Sequence, residues 1–259
     1  MNRYQHRSLK HEYELYVERE IEAYKESVSR SVLLSIGDEA VGQLAAAQQL
    51  ALTELLVWEQ VDIIIMRRLG LPGFQTWRRR RLRRLARYRR PEHWGFAPDA
   101  AIVRAWDPAA APDAHVLVTG APSEGSALYL AAHGCEVTAV EPEEHAVERV
   151  MAAAFDAGIT GRVHGLVADL ASYAPAAPLS AVVCTPAAFS GLSEEERDRA
   201  ISVLQSATRD GGVHLVETIV AGQAILTLDE LAERYRGWQV SVEPTPGTSH
   251  TFLARKLLS

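Results

Sequence analysis

The spacing of apolar residues changes along the chain, from helical spacing in the first 97 residues to alternating strands and helices from His115 onward. In the first part, apolar positions three or four residues apart predict helices over 11–27 and 31–69. The second helix is expected to break near Gly37, with Asp38 as a new N-cap. Between residues 50 and 66 the apolar residues are too dense for a solvent-facing helix. This segment is therefore expected to pack against other helices, a protein partner or a second copy of the chain.

A second amphipathic pattern follows, in which apolar residues recur at helical period among arginines. Nine of the thirteen residues from 78 to 90 are arginine. The pattern predicts an amphipathic helix over 74–90 with an arginine face, ended by Pro91. The prolines and glycine that follow indicate a connecting segment. We therefore predict a helical region over 1–97, a linker over 98–112 and a second domain over 113–259.

The second domain has the texture of an α/β fold. Strands are expected at 115–119, 136–141, 163–169, 181–185, 213–220, 238–243 and 251–256, and helices at 124–133, 144–157, 194–208 and 228–235. Strands that alternate with helices predict a parallel sheet covered on both faces. Because only turn residues separate the last two strands, they are expected to form an antiparallel hairpin.

Charge divides the chain in the same way. Residues 1–97 carry 17 Lys and Arg against 12 Asp and Glu, whereas residues 98–259 carry 10 against 21. Such asymmetry indicates two structural units and a polyanionic partner for the basic one.

Cysteine usage and hydropathy indicate the cellular compartment in which the protein is expected. Cys135 and Cys184 lie in or beside apolar strands and are expected to be buried, reduced thiols, without a metal-ligand cluster around them. Glu54, Glu59 and Asp62 interrupt the most apolar segment, which argues against a membrane-spanning helix. The N-terminus lacks the pattern of a signal peptide. We expect a cytoplasmic protein, with peripheral attachment to a membrane as an open alternative.

Three stretches and the terminal hairpin carry a family resemblance. The stretches are Val116–Gly120 with Ala127–Ala131 and Val137–Glu141, then Leu166–Leu170, and finally Arg209–Glu217. Over about 140 of the 259 residues they resemble class I S-adenosylmethionine-dependent methyltransferases. The resemblance implies a doubly wound, mostly parallel seven-stranded sheet, with S-adenosylmethionine as the cofactor.

The same resemblance implies roles for individual residues. Gly120 would let the chain turn beneath the cofactor, Glu141 would accept hydrogen bonds from both ribose hydroxyls, and Asp169 would contact the adenine amino group. The family loop Gly-x-Gly-x-Gly reads Gly120-Ala-Pro-Ser-Glu124 here, and the family's acid two residues before the first glycine is Val118. Glu124 is a candidate substitute for that acid, although it could instead repel the cofactor carboxylate or favour the helix N-terminus.

The arginine helix admits three partners: the phosphates of nucleic acid, membrane headgroups, or acidic protein. The residues expected to contact the partner are Arg78, Arg79, Arg80, Arg81, Arg83, Arg84 and Arg87.

Two functions follow from the sequence. The first is a methyltransferase that acts on an unidentified acceptor. The second is a non-catalytic subunit or adaptor of the same fold, which docks through the arginine helix. A nicotinamide-dependent dehydrogenase fits the spacing of Glu141 from Gly120, but it lacks the glycine pattern and the terminal hairpin. No catalytic residue is assigned, because His164, His214 and His250 are isolated from carboxylates in the sequence.

Overall fold

The computed structural model describes residues 8–46, 54–105, 114–120, 124–219, 226–244 and 249–258. The chain divides into two compact units, residues 1–83 and residues 84–259.

The N-terminal unit is helical, as predicted. Its helices are α1 (Leu9–Ser27), α2 (Arg30–Ala46), α3 (Glu54–Arg68) and the first part of α4 (Phe74–Tyr88). Ser8 caps α1 by accepting a hydrogen bond from the backbone N–H of His11, at 3.2 Å. The helices bury a small apolar core formed by Ile21, Ile36, Ala40, Val61, Ile64 and Ile65.

The predicted break near Gly37 is wrong. Helix α2 runs through Gly37, and Asp38 lies within the helix rather than at its start. Glycine weakens a helix by only about 1 kcal/mol relative to alanine. Ile36 and Ala40, on either side of Gly37, are both fully buried in the core. Their packing holds α2 together at a position where the local sequence favours a break.

Helix α3 buries one side and exposes the other. Val61, Ile64 and Ile65 are buried in the core, whereas Leu55 is 67% exposed and Trp58 is 55% exposed. Residues 50–53 of the predicted apolar helix lie outside the described residues. A protein partner or self-association at this helix stays a prediction.

The C-terminal unit is built on a seven-stranded sheet in the order β3-β2-β1-β4-β5-β7-β6. Its strands are β1 (His115–Thr119), β2 (Glu136–Glu141), β3 (Val163–Val167), β4 (Leu179–Cys184), β5 (Thr208–Ile219), β6 (Trp238–Pro244) and β7 (Ser249–Lys256). The first five strands pair in parallel, and β7 runs antiparallel to both β5 and β6. The predicted α/β fold, with its terminal hairpin and its helical N-terminal region, is confirmed.

Helices cover both faces of this sheet. They are α5 (Ala101–Ala105), α6 (Gly125–Ala132), α7 (Glu144–Ala157), α8 (Glu194–Ala207) and α9 (Leu228–Arg234). On one face, residues of α5, α6 and α7 form an apolar core with every second strand residue. On the other face, residues of α8 and α9 form a second core with the intervening strand residues. This alternation is what a doubly wound sheet requires.

The segment that follows the arginine helix is packed rather than a free linker. Trp94 donates its indole N–H to the carbonyl of Tyr88 at 2.7 Å, and the ring of Phe96 meets Tyr129 edge-on at 5.8 Å. Within the predicted linker 98–112, helix α5 buries Ala101 and Ile102 in the sheet core. These apolar side chains are widely spaced in the sequence, and tertiary contacts bury them. Residues 84–105 therefore belong to the C-terminal unit. Residues 106–113 lie outside the described residues.

Candidate functional site

Parallel pairing aligns the carboxyl ends of four neighbouring strands. Thr119 of β1 pairs with Val140 of β2 and with Cys184 of β4, and Cys184 pairs with Val216 of β5. One residue further along each strand, the register forms a row that we call the carboxyl-edge row. Its members, in spatial order, are Glu141, Gly120, Thr185 and Glu217.

The two acids of the carboxyl-edge row project to one face of the sheet. Residues two positions earlier on the four strands all belong to the core beneath α6 and α7; these are Ala139, Val118, Val183 and Leu215. Because side chains alternate along a strand, Glu141 and Glu217 point to that same face. Neighbouring strands lie about 5 Å apart. The row therefore places Glu141 beside Gly120, and Glu217 beside Thr185, at the edge where open α/β sheets bind ligands.

Glu141 is the buried acid of the row, with 5% of its surface exposed. Its carbonyl oxygen accepts a hydrogen bond from the backbone N–H of Ala168 at 3.0 Å, which ties the end of β2 to the chain leaving β3. Burial, and secondly the nearby Glu141 carboxylate, raise the pKa of the Cys184 thiol to about 12. Cys184 is therefore a neutral structural thiol.

Gly120 is held in a conformation that only glycine adopts easily. Its φ is +70°, and a Cβ built on it would lie 2.2 Å from the backbone nitrogen of Ala188 and 2.6 Å from its Cα. The Thr185 hydroxyl donates to the Gly120 carbonyl, and the Thr185 N–H donates to Thr119 at 3.1 Å. The short 3₁₀ turn Pro186–Phe189 after β4 therefore lies directly against the end of β1. This contact joins residues more than sixty positions apart in the chain, so no local sequence pattern indicates it.

Glu124 sits at the start of α6, where its side chain makes no capping hydrogen bond. Its carboxylate instead pairs with Arg149 Nε at 3.4 Å, with the two side chains 31% and 50% exposed. An exposed pair of this kind contributes little free energy. The rest of the predicted glycine loop, residues 121–123, lies outside the described residues.

Asp169 follows β3 in an exposed turn. Its Oδ1 accepts a hydrogen bond from the backbone N–H of Ala171 at 2.9 Å, and Ser172 donates to its carbonyl. This is a side chain that closes its own turn. It lies beyond the end of β3, which pairs with β2 through Glu141 and Val167.

Glu217 is a candidate site residue that sequence reasoning passed over. Burial raises the pKa of its carboxyl group above the ordinary value. An acid with a raised pKa at the carboxyl edge of such a sheet is a candidate for proton transfer. The sequence signal is weak, because Glu217 is only the last residue of the stretch Arg209–Glu217 that carries the family resemblance.

His214, by contrast, serves the core. It is fully buried, and its two ring nitrogens contact the Thr208 hydroxyl and the Tyr235 hydroxyl, each at 2.7 Å. Burial, and secondly the charge of Lys256, lower the pKa of His214 to about 3. It stays neutral at physiological pH and is not placed at the carboxyl edge.

Neither a metal centre nor a membrane-spanning helix is found among the described residues. Those residues include no group of three or more His, Cys, Asp or Glu side chains placed to hold a metal ion. Among the described helices, none combines the length and the apolar character needed to cross a membrane.

Comparison with known proteins places the fold. No family model matches the chain, and no curated protein is similar enough in sequence to count as a relative. Solved structures do match. TehB from Haemophilus influenzae is 19% identical with a TM-score of 0.50, over 60% of this chain and 61% of that one, so the match spans about three fifths of TehB.

The N-methyltransferase NodS from Bradyrhizobium japonicum WM9 is 12% identical, with a TM-score of 0.50, over 61% of this chain and 93% of its own. A second structure of NodS, in complex with S-adenosyl-L-homocysteine, is 11% identical, with a TM-score of 0.50, over 60% of this chain and 83% of its own. At these identities the similarity is one of fold. The C-terminal unit has the class I S-adenosylmethionine-dependent methyltransferase fold, as the resemblance in sequence implies.

The residues present fit a nucleoside on one side of Gly120. Glu141 has two carboxylate oxygens at the buried end of β2, which suits a pair of vicinal hydroxyl groups. On the other side, the Ala188 backbone already fills the space against Gly120. The space next to Gly120 on the Ala188 side is therefore filled by the chain itself.

Proposed function

We propose that the C-terminal unit binds S-adenosylmethionine at the carboxyl-edge row and transfers the methyl group to an acceptor that has yet to be identified. The single observation that carries the proposal is the placement of Glu141, a buried acid at the end of β2, one residue beyond the paired Val140 and Thr119 and so next to Gly120, which follows Thr119 in the chain. A carboxylate at this position accepts hydrogen bonds and donates none. Ribose hydroxyls that donate to this carboxylate would supply charge-assisted hydrogen bonds.

In this proposal three residues of the row and Asp169 have defined tasks. Glu141 accepts the ribose hydroxyls, Gly120 keeps the β1 turn tight, and Asp169 lies beyond β3 on the adenine side. S-adenosylmethionine, when bound, supplies an electrophilic methyl group. Glu217, whose pKa is raised by burial, is the candidate proton acceptor for an acceptor molecule that must lose a proton. Acceptors that are already nucleophilic would need only positioning.

The test is isothermal titration calorimetry with S-adenosylmethionine and S-adenosyl-L-homocysteine. We expect micromolar affinity, and a loss of at least about tenfold in Glu141→Gln, the equivalent of one charge-assisted hydrogen bond. Glu144→Gln is the matched control, because Glu144 lies three residues away in the first turn of α7 and is exposed. Folding of each variant is checked by circular dichroism. If a folded protein gives no heat of binding at about 1 mM ligand, the proposal is wrong.

A second candidate function rests on a different observation. The Ala188 backbone and the Thr185 hydroxyl both contact Gly120, which supports a non-catalytic subunit whose cofactor edge has closed. For such a subunit, the wild type and Glu141→Gln give equally silent titrations while both remain folded. The one experiment therefore separates the two functions.

A further inference from the structure

We infer that helix α4 presents an arginine surface that binds the phosphate backbone of nucleic acid. The inference is independent of whether the C-terminal unit binds a cofactor. From Ile63 to Pro91 the chain contains no Asp or Glu, while it contains eleven arginines. The arginine surface consists of the residues of this stretch that the structure leaves exposed on and directly after α4: Arg78, Arg79, Arg80, Arg83, Arg84, Arg87, Arg89 and Arg90.

Most of these guanidinium groups keep their full charge. Arg81 is the contrast: its side chain is 11% exposed and pairs with Glu12 at 3.3 Å. Arg84 and Arg89 donate to the neutral carbonyls of Asp156 and Ala132, at 3.1 and 2.8 Å. A carbonyl partner orients a guanidinium without neutralising it.

Four members of the arginine surface are also clear of carboxylates. Within the part of the chain that the structure describes, no ion pair joins a carboxylate to Arg78, Arg79, Arg80 or Arg83. These four exposed side chains therefore carry charges that no carboxylate of the described residues pairs with.

The spacing of the arginine surface suits a regular polyanion. Arg79, Arg83 and Arg87 recur every four residues, so they line one side of α4 over about 12 Å at a rise of about 1.5 Å per residue. A nucleic-acid duplex carries about one phosphate charge per 1.7 Å of its axis. Several phosphates therefore lie within reach of one helix face. Arginine rather than lysine adds a planar fork that matches phosphate oxygens in pairs.

The apolar residues of α4 are committed to packing, which argues against a membrane surface. In the N-terminal unit, Phe74 and Trp77 each lie with ring centroids 5.5 Å from Tyr13. In the C-terminal unit, Leu85 packs on the sheet core and Tyr88 is 8% exposed. An amphipathic helix that binds lipid needs its apolar residues free to enter the acyl boundary. Leu82, at 44% exposure, is a single apolar side chain and offers little area.

The same composition argues against an acidic protein partner. Protein interfaces have a desolvated centre rich in apolar and aromatic side chains, whereas nucleic-acid interfaces are far more polar and positively charged. The arginine surface, with Leu82 as the exposed apolar side chain between its arginines, has the composition of a nucleic-acid interface. Because aromatic rings of α4 are packed rather than offered for base stacking, the contacts are expected to fall on phosphates and to be independent of sequence.

The test is fluorescence anisotropy with the full chain and two labelled probes, a duplex DNA and a single-stranded RNA of about 24 nucleotides. Wild-type protein is expected to bind at least one probe, with an affinity that falls steeply with salt. Replacing Arg78, Arg79, Arg80 and Arg83 by glutamine keeps the helix propensity. Removing four phosphate contacts is expected to reduce the slope of log K against log salt by about 3 to 4.

The matched control carries the same charge change elsewhere, with Arg30, Arg199, Arg209 and Arg236 replaced by glutamine, all of which are exposed. Its slope of log K against log salt is expected to differ from that of the wild type by no more than about 1, the equivalent of one phosphate contact. Equal loss in both variants overturns the inference, because it indicates net charge rather than a surface. Co-sedimentation with vesicles of phosphatidylserine and phosphatidylcholine, and sedimentation velocity of the protein alone, form the other arms. Binding to vesicles, or arginine-dependent self-association, without binding to either nucleic acid also overturns it.

Discussion

The buried histidine of the second core makes a quantitative prediction about stability and pH. His214 is neutral in the folded protein because burial, and secondly Lys256, lower its pKa to about 3. In the unfolded chain its pKa returns to about 6.5. Between these values the unfolded state binds one proton more than the folded state, so stability is fully present above about pH 6.5 and is lost as the pH falls toward 3.

The magnitude follows from the size of that window. At about 1.4 kcal/mol per pH unit, the loss reaches about 2 kcal/mol at pH 5 and about 5 kcal/mol once the folded state also binds the proton. This is a large share of the free energy of unfolding of an ordinary domain. The full effect requires that both ring nitrogens stay bonded, to Thr208 and to Tyr235.

The assay is urea unfolding at pH 7 and pH 5, followed by near-ultraviolet circular dichroism. That signal reports the packed aromatic cluster, in which the Tyr235 and Trp238 rings lie 5.3 Å apart. His214→Gln provides the reference, because it removes the titrating group while the other histidines stay the same. The advantage of the wild type over the variant should shrink by about 2 kcal/mol between the two pH values. An advantage that is equal at pH 7 and pH 5 refutes the reasoning.

Two further predictions concern residues of the carboxyl-edge row. Gly120→Ala is expected to lower the free energy of unfolding by about 1–2 kcal/mol because of its positive φ, and by more because the new Cβ overlaps Ala188. Gly37→Ala, with open space around it, should instead raise the free energy of unfolding by about 0.5–1 kcal/mol. Thermal unfolding of the two variants measures both effects, and equal melting temperatures contradict the geometry. Because burial raises the pKa of Glu217, its ionisation opposes folding as the pH rises above about 4.3. Glu217→Gln should therefore stabilise the protein at pH 8 and have little effect at pH 4, as measured by urea unfolding, and a variant that is destabilised at pH 8 would show that the charge has a stabilising partner.

The sequence predicts the central strands closely, and the reason is local. The strands β1 and β2 begin and end at the residues expected, because each is a short apolar run bounded by turn residues. Helix α7 likewise matches its predicted range, since it ends at Gly158, which adopts the left-handed conformation at φ +67°. In these elements the local pattern and the tertiary contacts favour the same structure.

The misses occur where distant residues decide the local structure. Strand β5 begins at Thr208, five residues before the expected start, because Thr208 pairs with Leu179 ahead of an irregularity in the register. The Gly211–Gly212 pair looks like a turn in the sequence, yet it lies within this strand. The packing of Trp94 on the C-terminal core is of the same kind. Such pairings depend on the assembled sheet, and no local pattern encodes them.

In the candidate site, too, some contacts could be predicted from the sequence and others depend on distant residues. The position of Glu141 beside Gly120 could be predicted, because an acid at the end of one strand and a glycine at the end of its neighbour follow from the strand order. The contact of Ala188 with Gly120 could not, because it depends on how the turn after β4 folds back. Glu217 joins the row only through the register of β4 with β5.

That turn also limits how a ligand can reach the proposed site. Phe189, at the end of the turn, is 2% exposed and is part of the second core. Moving Ala188 away from Gly120 would therefore strain the packing of Phe189, at a cost of up to about 3 kcal/mol if the side chain were exposed. In the binding mode proposed above, the cofactor leaves the turn in place and its ribose hydroxyls donate to Glu141. Glu141→Gln should consequently weaken binding more than any change in the turn, and a Thr185→Val variant, which removes the hydroxyl that contacts Gly120, should leave the affinity for S-adenosyl-L-homocysteine close to that of the wild type.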